Sequence, residues 1–139
     1  AWKGGGAYLN GQSLQVSSVR SMEASFVVTE LPYNSEQYAR TGEYLIRELY
    51  GRVAGIRMNG SAAIALCYVA AGRFDAWLEA FLGKWDFSAA ALIVQEAGGR
   101  VTDFYGNAGF IDGHHVVATN GWLHPFLLEL VQKAMPLGM

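Results

Sequence analysis

The chain has 139 residues, of which 52% are hydrophobic and 16% charged, with a formal net charge of −2 and a single cysteine. That length suits one core, and a composition more apolar and less charged than the average soluble domain implies that part of the surface is meant to be covered. No basic cluster offers a footprint for nucleic acid or an anionic membrane, and no apolar run is long enough to span a bilayer. The lone Cys67 excludes a disulfide framework and points to a reducing, cytoplasmic compartment.

The chain opens at Ala1 with no signal peptide, and residues 7–9 and 14–16 read as a hairpin around Asn10-Gly11, a pair that readily takes the positive φ angles of a tight turn. A hairpin alone is marginal in water, so this one belongs to a larger sheet. Residues 25–29 form a β-rich run that Pro32 breaks. Residues 35–50 carry Tyr38, Leu45, Ile46 and Leu49 among charged residues, an amphipathic outer helix that Gly51 ends.

Residues 56–58 predict a strand, and Asn59-Gly60-Ser61 opens an apolar helix that runs to Ala71 and stops at Gly72. A strand over 74–79 leads through Gly83 into a second apolar helix, with Asp86 as its N-cap and Gly98 as the left-handed residue that stops it. A short strand follows at 100–102, then a loop over 103–113 and a strand over 115–119. The last helix spans 121–135, with Trp122, Leu123, Phe126, Leu127, Leu130, Val131 and Ala134 on one face.

Strands alternate with helices, so the fold class is α/β: a layered sandwich in which helices flank a mixed sheet. The helices over 61–71 and 87–97 are apolar all round, and a sheet covers only one side of each, so a further layer is expected. Three features fall beyond the carboxyl ends of strands, where open α/β sheets bind ligands: the helix start at Gly60, Ser61 and Ala62, then Glu79, then Asp86. Each is also unremarkable alone, as a helix start, a solvated strand end and a cap. Together, backbone N–H groups beside two carboxylates suit a polyhydroxylated or phosphorylated ligand, with a metal to reconcile the charges.

Other polar residues are weaker candidates. His114 and His115 are neighbours on a strand and point to opposite faces; His124 reads as a surface residue, Asp75 as a strand-start residue, Asp112-Gly113 as a turn, and Arg57 as a structural charge or an anchor for a carboxylate. Gly4-Gly5-Gly6 lacks the Lys-Ser/Thr of a P-loop.

Residues 85–99, W-D-F-S-A-A-A-L-I-V-Q-E-A-G-G, resemble the C-terminal signature of the inositol monophosphatase family, W-D-x-A-A-x-x-L-I-V-x-E-A-G-G. Residues 3–11 are similar to its K-G-x-G-A-x-x-N-G and residues 57–63 to its R-x-x-G-[ST]-A-A, with 69–75 and 117–120 matching in the same order. The resemblance implies the C-terminal domain of the αβαβα sugar-phosphatase fold. It also implies a magnesium-dependent phosphomonoesterase, lithium-inhibited in many members, that uses metal-activated water against a sugar- or inositol-type phosphate. On that pattern Asp86 is a metal ligand that also approaches a substrate hydroxyl, and Glu79 contacts ring hydroxyls. Gly60, Ser61 and Ala62 line the substrate, so the helix start serves the polyol and not the phosphate.

The family's upstream glutamate and its D-P-[IL]-D-G-[ST] motif are not in the sequence; Asp112-Gly113-His114 has the D-G pair without its flanks. The expectation is a C-terminal part, catalytically incomplete alone. Residues 1–18 would be the terminal hairpin of a missing α+β domain and residues 19–139 the C-terminal α/β domain. It would share Mg2+ with ligands outside this chain, act on a small polyol phosphate and not on nucleic acid or membrane, and form a homodimer or associate through its uncovered apolar helices. The alternatives are a non-catalytic binding or assembly module on the same scaffold, or a relative of bisphosphate nucleotidases and fructose bisphosphatases.

Overall fold

A computed structural model describes residues 1–31 and 35–134. The expected break at Pro32 and the helix end at Met135 lie outside the described residues, as does the side chain of Tyr38. Among the described residues, seven strands and four α-helices follow in the order β1 (Tyr8–Leu9), β2 (Gln12–Ser13), β3 (Phe26–Thr29), α1 (Ser35–Leu49), β4 (Gly55–Arg57), α2 (Ala62–Ala70), β5 (Ala76–Ala80), α3 (Lys84–Glu96), β6 (Arg100–Thr102), β7 (His115–Thr119) and α4 (His124–Ala134). Strands β3 to β7 make one sheet in the order β4-β3-β5-β7-β6, in which β3 runs parallel to both β4 and β5 while β7 is antiparallel to β5 and β6. The mixed sheet expected from the sequence is present.

Side-chain alternation divides the sheet into two cores. Val28, Trp77, Val116 and Ala118 face α2 and α3, whereas Val27, Ala76, Leu78 and Val117 face α1 and α4. All five residues of β5 are buried, which marks it as the strand covered on both faces. On one side Leu45 and Leu49 of α1 meet Leu127, Leu130 and Val131 of α4. On the other, the apolar helices α2 and α3 bury Leu66, Val69, Phe87, Ala91 and Val94 against the sheet and each other. The covering layer inferred from their composition is thus partly supplied within the chain. Ala7 is buried in this core and Leu14 and Val16 pack on it, while Ile64 remains half exposed.

The amino-terminal hairpin is shorter than expected. Asn10 and Gly11 take φ of 52° and 78°, the turn predicted for them, but β2 ends at Ser13. Leu14 N still bonds Ala7 O at 2.8 Å in the register of the hairpin, but Val16 N bonds Ala97 O at 3.0 Å and so leaves the hairpin for the end of α3. Glu96 then fixes the glycine run, accepting from Gly4 N at 2.8 Å and Gly6 N at 2.9 Å. A buried clamp holds the next segment. Asp75 accepts from Ser17 Oγ and from Phe26 N at 2.7 Å, while Asn120 Nδ2 donates to Ser17 Oγ at 3.0 Å and to Val19 O at 2.7 Å. Asp75 is a structural link, not simply a strand-start residue.

Helix ends follow their glycines. Gly98 takes φ of 90° after α3, and Gly99 has no room for a side chain, since a Cβ would stand 2.6 Å from Thr119 O. Two expectations for α4 need correction. Trp122 precedes the helix, under the Arg20 guanidinium at 4.0 Å, and Phe126 lies off the buried stripe of Leu123, Leu127, Leu130, Val131 and Ala134; both rings are half exposed.

His124 is the other correction: it is wholly buried, because α4 begins on the sheet and not at the surface. Its Nε2 lies 2.9 Å from Thr102 Oγ1 and its Nδ1 2.9 Å from Thr119 Oγ1. Thr102 spends its hydroxyl hydrogen on Asp103 O, so Nε2 must be the donor and Nδ1 must accept from Thr119. A second ring proton would set two donors against each other.

Burial, with a smaller effect from Arg100, pushes the His124 pKa down from its ordinary 6.5 to about 4. Below pH 6.5 the unfolded chain therefore takes up a proton that the folded chain refuses until about pH 4, and stability falls across that window by roughly 3 kcal/mol. Denaturant midpoints measured from pH 7 to pH 4 should fall more steeply for the parent than for His124→Gln.

Candidate functional site

Because β4, β3 and β5 are parallel neighbours, the residues after each of them gather at one edge of the sheet. Glu30 follows β3, the segment Asn59-Gly60-Ser61 follows β4, and Glu79 is the fourth residue of β5. The head of α3 brings Asp86 to the same edge. A cleft of about 570 Å³ opens there, lined by Glu30, Leu31, Met58, Gly60, Ser61, Ala62, Ala63, Glu79, Phe81, Leu82, Trp85 and Asp86. The residues anticipated from the sequence, Gly60, Ser61, Ala62, Glu79 and Asp86, share this one cavity. A larger hollow of about 760 Å³ beside α1, lined by Leu31, Ala39, Gly42, Glu43, Ile46, Arg47 and Tyr50, is almost wholly apolar and offers no comparable convergence of polar groups.

Glu79 is the most unusual group in the cleft. It alternates with Leu78, so it shares the face of Trp77 and points toward the heads of α2 and α3; only 8% of it is exposed. Its Oε2 is buried with no hydrogen-bond partner among the described residues. Burial first, then the charges of Glu30 and Asp86, push its pKa up to about 8. It is not the solvated strand end that its position allowed. An unpartnered buried carboxyl oxygen is costly, which makes Glu79 the leading candidate for a ligand contact in this cleft.

Asp86 does not cap α3 as expected. The helix begins three residues earlier than expected, at Lys84, with Gly83 at the N-cap. Asp86 stands at the third position, where its Oδ2 accepts from Gly83 N at 3.0 Å and its own N–H donates to Gly83 O at 2.9 Å. This reach back to the cap spends one carboxylate oxygen and leaves the other free among the described residues. Ser61 does cap α2, its Oγ accepting from Ile64 N at 3.3 Å.

Phe81 takes φ of 66°, an uncommon backbone conformation for a bulky residue. It turns the chain between β5 and α3, so that its ring lines the cleft near His114, 6.4 Å between centroids, while Leu82 N bonds His114 O at 2.8 Å. Strain of this kind collects at ligand clamps.

Glu30, the residue after the β-rich run over 25–29, was not among the sequence candidates. Its Oε1 accepts from Asn59 N at 2.8 Å and Gly60 N at 2.9 Å. The available signal was its place beyond the carboxyl end of a strand, the criterion that selected its neighbours.

The remaining candidates have structural roles. His115 stacks on Phe104 at 4.8 Å and its Nδ1 accepts from Phe104 N, while His114 turns the other way, toward Phe81. Arg57 lies over the Phe26 ring and donates to Ile56 O, with no ion pair among the described residues. Asp112 closes a short 3₁₀ turn. Cys67 is partly buried against the core, and burial pushes its thiol pKa up. The donors in the cleft are hard carboxylate oxygens, the kind that Mg2+ takes. Among the described residues, however, no three acidic, histidine or cysteine side chains converge as a metal site. The carboxylates fit such an ion in kind, though the described residues alone form no complete site for it.

The chain is 44% identical over 138 residues to the Nus factor SuhB of Pseudomonas aeruginosa, covering 98% of this chain and 51% of that protein. It is 38% identical, with the same coverage, to an inositol-1-monophosphatase of Rhizobium meliloti. The crystal structure of extragenic suppressor protein suhB from Bartonella henselae superposes with a TM-score of 0.90 at 35% identity, covering 96% of this chain and 52% of that one. The chain thus spans about half the length of the curated relatives it matches. The profile of the inositol monophosphatase family matches residues 1–135, and on that match, with the fold and cleft described above, this chain belongs to the inositol monophosphatase family.

Proposed function

We propose that this chain is the polyol-binding half of a magnesium-dependent phosphomonoesterase acting on inositol monophosphate or a related sugar phosphate. The observation that carries the reading is the buried, unpartnered Oε2 of Glu79 in a cleft with two other carboxylates. A substrate hydroxyl, which can donate or accept, is the natural partner of such a carboxyl group in either protonation state. Ser61 and the backbone from Gly60 to Ala62 line the facing wall, and the exposed rings of Phe81 and Trp85 form an apolar rim suited to the C–H face of a ring. Asp86, with one oxygen tied to Gly83, would hold the ion with the other. When bound, Mg2+ would supply charge neutralisation at the phosphate and a water of lowered pKa. The chain alone is incomplete for this chemistry, because one aspartate does not make a phosphoryl-transfer site. On the same reading residues 1–18 belong with the upstream domain, residues 19–139 form the C-terminal domain, the whole protein is a cytoplasmic dimer, and lithium inhibits it.

The relatives named Nus factor support a second reading, in which the scaffold serves assembly and not catalysis.

The complete protein encoding this segment should release phosphate from inositol 1-phosphate only with magnesium, whereas the 139-residue chain should release none. Asp86→Asn should lower turnover of the complete protein at least tenfold. If the complete protein hydrolyses no sugar phosphate at any magnesium concentration, the enzymatic reading fails and the assembly reading stands.

The raised Glu79 pKa gives a second test. From pH 4.5 to about 8 the folded chain keeps a proton that the unfolded chain loses, so the contribution of Glu79 to stability falls as pH rises through that window. Thermal midpoints of Glu79→Gln should gain on the parent between pH 5 and pH 8.

A further inference from the structure

The turn leading into α2 has the features of an anion site: the consecutive N–H groups of Asn59 and Gly60, just ahead of the Ser61 cap, with Gly60 at φ 74° shaping the turn. It is already filled by the protein itself. Asn59 N and Gly60 N both donate to Glu30 Oε1, at 2.8 Å and 2.9 Å. With the Asn59 amide turned to avoid two facing oxygens, its nitrogen donates to the same Oε1 at 2.8 Å and to Ser61 O at 3.2 Å. Three donors therefore converge on one carboxylate oxygen. Another N–H of the helix start, that of Ile64, is taken by Ser61 Oγ.

The surroundings make an incoming anion still less welcome. The lining of the cleft includes three acids, Glu30, Glu79 and Asp86, and no lysine, arginine or histidine. The group left without a partner, Glu79 Oε2, belongs to a third acid in the same cleft and adds no cation that would draw in an anion.

We infer that Glu30 sets the class of ligand taken at this end of the cleft, by occupying with its own carboxylate the backbone cradle that a phosphate would otherwise fill. Glu30 is a specificity-determining residue. Neutral hydroxyl-bearing groups are admitted, and the phosphate of the same ligand is held away from the start of α2. This deepens the proposed function and rests on it for the identity of the hydroxyl-bearing part; the exclusion of phosphate from the Asn59 and Gly60 amides stands on Glu30 alone.

The test follows the backbone amide resonances of Asn59, Gly60 and Ser61 in the isotope-labelled protein during separate titrations with inorganic phosphate and myo-inositol. In the parent, phosphate should leave the Asn59 and Gly60 amides unmoved. In Glu30→Ala, phosphate should shift both saturably, with apparent affinity at least tenfold above the parent. Glu30→Gln, whose amide oxygen can still fill the cradle, should stay closer to the parent than to the alanine variant. If Glu30→Ala loses the dispersed spectrum of a folded chain, Glu30→Asp, one methylene too short to hold both amides, takes its place. Saturable phosphate shifts at these amides in the parent, or none in the variant lacking the Glu30 carboxylate contact, would overturn the inference. A failure of myo-inositol to shift any cleft amide counts against the polyol reading instead and leaves the result with phosphate to decide the role of Glu30.

Discussion

The structure depends on the complete burial of β5. Its five residues are enclosed by α2 and α3 on one face and by α1 and α4 on the other, so Trp77 and Leu78 anchor opposite cores from adjacent positions. A strand covered in this way cannot slip by one residue without exchanging the two cores. That constraint also explains how a carboxyl group can be kept out of water. Glu79 is carried into the protein by the register of Trp77, and the apolar contacts of the strand offset the cost of burying it.

The electrostatics of the cleft follow from strand order. With β3 lying between β4 and β5, Glu30 comes between the start of α2 and Glu79. One carboxylate accepts two backbone N–H groups, a second takes a cap N–H, and the third is buried with neither and keeps its proton to a higher pH. The three are chemically alike and differ in how deeply each is buried and in which N–H groups reach it. Environment, not residue type, gives each its role.

The amino-terminal segment is bound into this architecture by polar contacts more than by sheet pairing. Glu96 holds Gly4 and Gly6, and Asp75 with Asn120 holds residues 17–19. Both anchors belong to elements that also build the core, α3 and the ends of β5 and β7. The glycines of the amino-terminal run are therefore spaced for a carboxylate of α3 and not for a phosphate, which accounts for a glycine-rich stretch without the lysine of a P-loop.

The sequence alone established the succession of strands and helices, the turns at Asn10-Gly11 and Gly98, the family signature over 85–99, and the edge at which Glu79 and Asp86 would meet. These are local matters, set by side-chain period, backbone conformation and chain direction. Tertiary structure decided the rest. That His124 is buried between two threonines depends on where α4 lands on the sheet. That Asp86 reaches back to Gly83 depends on where α3 begins, and that Trp122 and Phe126 are left outside depends on which stripe of α4 meets β7. Glu30 was invisible for the same reason, since its partners Asn59 and Gly60 are about thirty residues away along the chain and only the pairing of β3 with β4 brings them together. Hydrophobic period reports which face of an element is covered, but only the packed fold determines which polar groups that covering leaves opposite one another.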